Sequence, residues 1–231
     1  MCGRYTLHTA PDRLRERFDA DPDRPLSRRY NCAPGQELPV ITGDDPDRMQ
    51  FFKWGLTPAW AGEQQGHINA RSETVRQKRS FADAYESRRC LVPADGFYEW
   101  ADRGDGKRPY RVAFEDDRPF AMAGLWERWD EPTRQTGLGE FGSGGASEES
   151  STLETFTILT TEPNSLISEL HHRMAVVLPP ERETDWLHDD PEALVDLLEP
   201  YPDDDLDYYP VSERVNDPAT DEPSLVEPVS T

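Results

Sequence analysis

A succession of short runs rich in β-branched and aromatic residues, most of them closed by glycine, proline or paired acids, constrains this chain more than any other feature. Such runs occupy residues 38–41, 49–54, 91–92, 97–100, 110–114, 120–126 and 156–160. Apolar runs of this length between turn-forming residues read as strands. The acidic turn at residues 42–47 and the Asp95-Gly96 pair read as connections between neighbouring strands. Helical signals are fewer. Residues 9–19 offer Thr9 as a cap, Pro11 in the first turn, and Leu14 and Phe18 one turn apart. Residues 81–89 are helix-like, residues 164–170 begin at a capping Asn164, and residues 180–187 and 191–198 each open on proline. Residues 29–35 read as a turn-rich loop. The expected fold class is α+β: a compact, β-rich single domain of mixed, mostly antiparallel strands, barrel-like, with peripheral helices.

At 231 residues the chain suffices for one domain with a substantial core. The domain is assigned to residues 1–216, with a Gly/Ser/Glu-rich insertion at 131–155 read as a flexible, solvated hairpin. Residues 217–231 form an acidic, proline-containing tail that is expected to fray. No apolar run reaches the ~18 residues of a membrane span, and the amino terminus lacks a secretory core. Cys2, Cys32 and Cys90 are too scattered for a disulfide framework, and no CxxC pair suggests zinc. The expectation is a cytoplasmic monomer with no cofactor, no metal site and no membrane partner.

The net charge is −21, from 25 basic and 46 acidic residues. One reading is that such a surface repels phosphates. The other is that acids coat a protein adapted to high salt while basic residues gather at a site. The second is preferred, because the basic residues concentrate at 24–29, 71–79 and 88–89.

Cys2 is the first chemical candidate. Methionine aminopeptidase removes Met1 when the second side chain is small. The product carries an amine and a thiol on adjacent carbons. Such a 1,2-aminothiol condenses with an aldehyde through its amine, and the thiol then closes a thiazolidine ring. An α-amino pKa of about 7.7–8.0 leaves free amine near neutrality, and a thiol beside arginine is expected to have a lowered pKa. The ordinary alternative is that Cys2 merely precedes a first strand. Asn69 could cap a turn. Glu99 could face solvent from a strand, although Phe97, Tyr98 and Trp100 around it suggest a partly buried carboxyl with a raised pKa. His171 could be a satisfied surface histidine, and His172 fits the spacing equally well.

Taken together, several segments occur in one order: Met1-Cys2-Gly3-Arg4-Tyr5, Tyr30-Asn31-Cys32-Ala33-Pro34-Gly35, Trp54-Gly55-Leu56-Thr57-Pro58, Asn69-Ala70-Arg71-Ser72-Glu73-Thr74, Pro93-Ala94-Asp95-Gly96-Phe97-Tyr98-Glu99-Trp100, Ala123-Gly124-Leu125-Trp126, His171-His172-Arg173-Met174 and Pro210-Val211-Ser212-Glu213-Arg214. The set resembles the SOS-response-associated peptidase (SRAP) family, the abasic-site-processing proteins, over nearly the whole chain. The resemblance implies an SRAP-like fold with a basic DNA cleft and, as partner, single-stranded DNA carrying an abasic site. It implies Cys2 as nucleophile toward the ring-opened sugar and Asn69 as a holder of the sugar or its phosphate. Glu99 would position the Cys2 amine and move its proton, and His171 would transfer a proton at the sugar oxygen. It also implies DNA contacts from Arg4, Asn31, Arg71 and Arg173, and an aromatic contact from Trp60. His172 and Ala175 depart from the family pattern, where an acid and a proline are usual. Ala61 stands where a second aromatic is common.

The same residues fit a cysteine peptidase, with Cys2, His171 and Glu99 as its machinery, or a non-covalent single-stranded DNA binding module in which Cys2 is a bystander.

Overall fold

Each apolar run read as a strand is one, and shorter strands lie between them. The computed structural model describes residues 2–104, 106–131 and 152–230. The elements follow in the order β1 (Tyr5–Leu7), α1 (Pro11–Phe18), β2 (Asp21–Pro22), β3 (Arg29–Cys32), β4 (Glu37–Thr42), β5 (Asp45–Trp54), β6 (Asn69–Arg71), α2 (Ala82–Ser87), β7 (Arg89–Ala94), β8 (Gly96–Asp102), β9 (Lys107–Phe114), β10 (Phe120–Asp130), β11 (Thr152–Thr161), α3 (Ser165–Ser168), β12 (Met174–Ala175), β13 (Val177–Leu178), α4 (Glu183–His188) and β14 (Leu206–Pro210).

Strands β11, β10, β7, β4 and β5 pair in sequence, each pair antiparallel. Four reversals return β5 to the direction of β11, so the ring can close only through a parallel pair. That pair is present, with Thr155 opposite Lys53 and Phe156 opposite Trp54. The closed ring is the barrel-like element, and closure removes the unpaired edges an open sheet would leave. Inside it Trp54 stacks on Phe156 at 6.2 Å and Phe52 meets Trp126 at 5.4 Å. All six residues of β7 are buried, which explains why this run shows no inside–outside alternation.

A second sheet runs in the order β14, β9, β8, β1, β3. The Asp95-Gly96 pair is not a hairpin turn between neighbours. It is the crossing from β7 in the barrel to β8 in the second sheet. Asp95 Oδ2 accepts from the His8 backbone N–H (2.6 Å), the Thr9 backbone N–H (2.7 Å) and the Thr9 hydroxyl (2.9 Å). Thr9 therefore does not cap α1, whose first turn has no side-chain cap. The buried Arg111 donates to the Asp95 carbonyl at 2.7 Å and to the Tyr209 hydroxyl at 2.7 Å. Its guanidinium occupies the space a side chain at residue 96 would need: a Cβ on Gly96 would lie 2.8 Å from Arg111 Nε.

Helical elements are shorter than the sequence suggests. Asn164 caps α3, accepting from the Ile167 N–H at 2.9 Å. Residues 180–187 divide into a 3₁₀ turn at Pro180–Arg182 followed by α4, and Pro191–Leu198 is 3₁₀ throughout. Residues 29–35, read as a loop, begin with β3.

The insertion assigned to residues 131–155 falls largely on 132–151, outside the described residues, while Thr152 to Thr155 already belong to β11. The expectation that the tail frays is corrected for its described part. Asp221 accepts from Arg29 Nε (2.5 Å) and from the Tyr30 N–H (2.6 Å), Leu225 is fully buried, and the Val229 N–H donates to the Pro210 carbonyl at 2.9 Å. The tail covers β3, the edge strand of the second sheet, and satisfies N–H groups that would otherwise be exposed for pairing.

Candidate functional site at the amino terminus

Cys2 precedes β1, which is held on both sides by β8 and β3. The Tyr98 N–H donates to the Arg4 carbonyl at 3.0 Å, extending that pairing toward the chain end. Neighbouring strands thus fix the chain at Cys2; Asn69 bonds it, the Glu99 carboxyl acts on its thiol, and His171 reaches Glu99. Asn69, first residue of β6, donates from Nδ2 to the Cys2 carbonyl at 3.0 Å. Glu99, in the middle of β8, is 1% exposed. His171, just after α3, lies with Nδ1 3.9 Å from Glu99 Oε2. The four residues named from the sequence as catalytic are brought together from positions as far apart as 2 and 171.

Burial pushes the Glu99 carboxyl up to about 7, opposed by the positive charge of the amino terminus and by the Trp100 N–H. The direction agrees with the one expected from its aromatic neighbours. Burial also lowers His171 to about 4, aided by the charge of the amino terminus, while the Arg173 backbone opposes the shift. The 3.9 Å contact is therefore not an ion pair near neutrality: between these values the carboxyl is protonated and the imidazole neutral. The expectation of a lowered Cys2 thiol pKa is corrected. Cys2 is fully buried, and burial pushes its thiol well up. Its Sγ lies 3.9 Å from the Arg4 carbonyl, a contact with an acceptor rather than with a guanidinium. The site pairs a proton-bearing carboxyl, a neutral imidazole and a protonated thiol. Such a set can exchange protons without a net charge having to be buried.

His171, not His172, faces Glu99. His172 is exposed and stacks on the outer face of His171, with ring centroids 4.2 Å apart and planes at 29°. Beyond them runs an open groove that Trp100, Lys107 and Leu170 also line.

The residues expected on DNA divide. Arg71 is exposed, two residues after Asn69 on β6 and so on the same face of that strand, with no ion-pair partner among the described residues. Trp60 is 44% exposed, and Arg79 lies over its ring at 4.2 Å. Arg79 was visible in the sequence only as one member of the 71–79 basic cluster. Arg4 is partly buried, donates to the Gly3 carbonyl at 2.7 Å, and burial lowers its pKa. Two more have partners within the fold. Asn31 is fully buried, and its Nδ2 reaches the carbonyls of Val215 (3.2 Å), Asp217 (3.0 Å) and Thr220 (2.9 Å), so it clamps the tail. Arg173 is 8% exposed and forks onto the Glu73 carboxylate, with a further bond to the Thr160 carbonyl at 2.6 Å.

Several members of the basic clusters are also engaged within the fold. Arg24 pairs with Glu37, Arg29 with Asp221 and Arg88 with Glu127. Arg89 is buried and donates to the carbonyls of Tyr85 (2.6 Å), Trp186 (2.6 Å) and Asp189 (2.7 Å), tying together the ends of α2 and α4. The 71–79 stretch keeps exposed cations, Arg71, Lys78 and Arg79, without ion-pair partners among the described residues.

Residues 1–218 match the profile of the family described as SOS response associated peptidase (SRAP). The chain belongs to the SRAP family. The protein named abasic site processing protein YoqW from Bacillus subtilis (strain 168) is 40% identical over 239 residues, covering 98% of this chain and 99% of its own. The protein named abasic site processing protein HMCES from Gallus gallus is 29% identical over 280 residues, covering 99% of this chain and 78% of its own. The crystal structure of a Bacteroides thetaiotaomicron protein is similar over 99% of this chain and 100% of that one, with TM-score 0.83 at 26% identity. A Bordetella bronchiseptica protein is similar with TM-score 0.75, also at 26% identity, over 91% of this SRAP chain and all of that one.

Proposed function

We propose that this SRAP protein captures abasic sites in single-stranded DNA by forming a thiazolidine at Cys2 once Met1 has been removed. The observation that carries this reading is the convergence of Asn69, Glu99 and His171 on the residue whose amine and thiol share adjacent carbons. A protein built only to bind a strand has no use for a buried, protonated carboxyl at its first residue. The names of the similar proteins agree with the reading.

The steps follow from the protonation states. His171, being neutral, takes the hemiacetal hydroxyl proton and passes it to the ring oxygen as the C1′–O4′ bond breaks, so that the sugar opens to an aldehyde and a free 4′-hydroxyl. The Cys2 amine adds to the carbonyl carbon, and a proton passes from nitrogen to oxygen to give the carbinolamine. The Glu99 carboxyl gives its proton to the departing hydroxyl, which leaves as water, and an iminium remains. The Cys2 thiol, held protonated until then, adds to the iminium carbon. The S–H proton returns to the Glu99 carboxylate as the S–C bond forms. Asn69, engaged on the Cys2 carbonyl, serves in this scheme to hold residue 2 rather than to grip the sugar. Arg71 and the Trp60–Arg79 pair supply cation and stacking contacts for a flexible strand.

The test is incubation with a single strand carrying one abasic site, followed by a denaturing gel. A shifted band in the wild type that is absent in Cys2→Ala supports the proposal. Cleavage of casein without a shifted band would instead favour a peptidase, and a shift seen only on native gels would favour non-covalent binding.

A further inference from the structure

The stacked imidazoles at 171 and 172 carry a consequence for how the site keeps its base. After α3 the chain turns tightly, with the Leu170 and His171 N–H groups both donating to the Ile167 carbonyl at 2.9 Å. The Arg173 N–H then folds back onto His171 Nδ1 at 3.1 Å. This turn lays the rings of two consecutive residues face to face, one against Glu99 and the other exposed at the groove.

We propose that His172 is a positioning residue for His171, holding the ring on the Glu99 carboxyl by stacking and keeping it neutral by disfavouring a second proton 4.2 Å away. The inference rests on the reading of Cys2 as the nucleophile toward abasic DNA. Two positive imidazoles at this separation repel strongly in a partly dehydrated site. The other charged groups around His171 come from every neighbouring element. Glu99 faces it from β8, Lys107 from β9 opposes a charge on it, and the amino terminus opposes it as well. Asp102 and Glu162 line the groove and would favour protonation. His172 is the member of this set in ring contact with His171, and its charge adds to the burial that already opposes a proton there. An imidazole there opposes a proton on its neighbour, whereas an acid there would raise the pH at which that proton is taken up.

The test uses the full chain as wild type, His172→Ala and His172→Asp. His172 is exposed, so both variants are expected to fold. Two readouts are taken: the NMR titration of the His171 ring without DNA, and the crosslinking rate against pH with an abasic single strand. In His172→Asp the His171 midpoint rises by about one pH unit or more, and the second break that His171 adds to the rate profile, below the one set by the Cys2 amine, rises by the same amount. In His172→Ala both rise less. Unchanged His171 midpoints in both variants would overturn the proposal while leaving the crosslinking reading intact. Shifted midpoints with no crosslink at any pH would sink the crosslinking reading, and with it the catalytic purpose of the pair.

Discussion

Glu99 Oε2 and His171 Nδ1 stand 3.9 Å apart with their usual acidities reversed, the carboxyl near 7 and the imidazole near 4. The pair is an acid and a base of small net charge over the physiological range. Crosslinking is therefore expected to peak near neutrality. Above about pH 7 Glu99 loses the proton it must donate, and at lower pH the Cys2 amine is increasingly protonated. Glu99→Gln should slow the reaction by about 10²–10⁴-fold and abolish the alkaline limb, while DNA affinity is retained. Single-turnover crosslinking rates against pH check both effects. A normal rate in the Gln variant would remove Glu99 from the proton transfers.

The same carboxyl makes stability depend on pH. Between its ordinary 4.5 and about 7, the folded chain holds a proton on Glu99 that the unfolded chain has released. Stability is thus lost as pH rises through that window, by at most about 3 kcal/mol. Glutamine cannot ionise. The stability of Glu99→Gln relative to wild type should grow between pH 5 and pH 8, as read from urea unfolding at the two values. A constant difference would show that the carboxyl is not held neutral.

Asn69 acts through the Cys2 carbonyl. Asn69→Asp replaces the Nδ2 donor, 3.0 Å from that carbonyl, with an acceptor that repels it. Displacing residue 2 by as little as ~1 Å can cost ~10²-fold in rate. The crosslinking rate of Asn69→Asp is expected to fall by about that factor at saturating DNA. An unchanged rate with weakened DNA binding would return Asn69 to the sugar-gripping role the sequence suggested.

Asn31 has a structural role that the sequence did not suggest. Asn31→Ala leaves the carbonyls of Val215, Asp217 and Thr220 without their shared donor. The expected loss is about 1–3 kcal/mol, with faster proteolysis of the tail and unchanged crosslinking. Full stability with lost DNA affinity would reinstate the DNA contact.

What was legible in the chain follows from which interactions are local. The runs at 49–54 and 120–126 announced strands because their side chains and turn residues decide the matter within a few positions. Strands β1, β3 and β6, of three or four residues each, acquire their pairing from partners far along the chain, and nothing local marks them. The site behaves similarly. Cys2 and Glu99 were recognisable by chemistry and neighbours. Arg173 and Asn31 resemble DNA contacts in the sequence, and their partners, Glu73 and the 215–220 carbonyls, are about 100 and 184 or more positions away. The exposure of Trp60 and its cover by Arg79 depend on the loop that the Leu56–His67 bridge closes, which no motif announces.

Gly96 joins fold to site. Its place at the crossing between sheets is set by the Arg111 guanidinium, which is tethered to the Asp95 carbonyl, the Tyr209 hydroxyl and Asp117. A Cβ at residue 96 would meet Arg111 Nε at 2.8 Å and Nη2 at 2.9 Å, and those atoms are not the free end of a flexible chain. Gly96→Ala must therefore shift β8 or break the tether, at about 1–3 kcal/mol. Glu99 lies three residues further along the same strand. A shift of β8 carries the carboxyl away from His171, so crosslinking should slow together with the fall in melting temperature. A destabilised variant that reacts at the wild-type rate below its melting temperature would show that the tether yields and β8 stays in place.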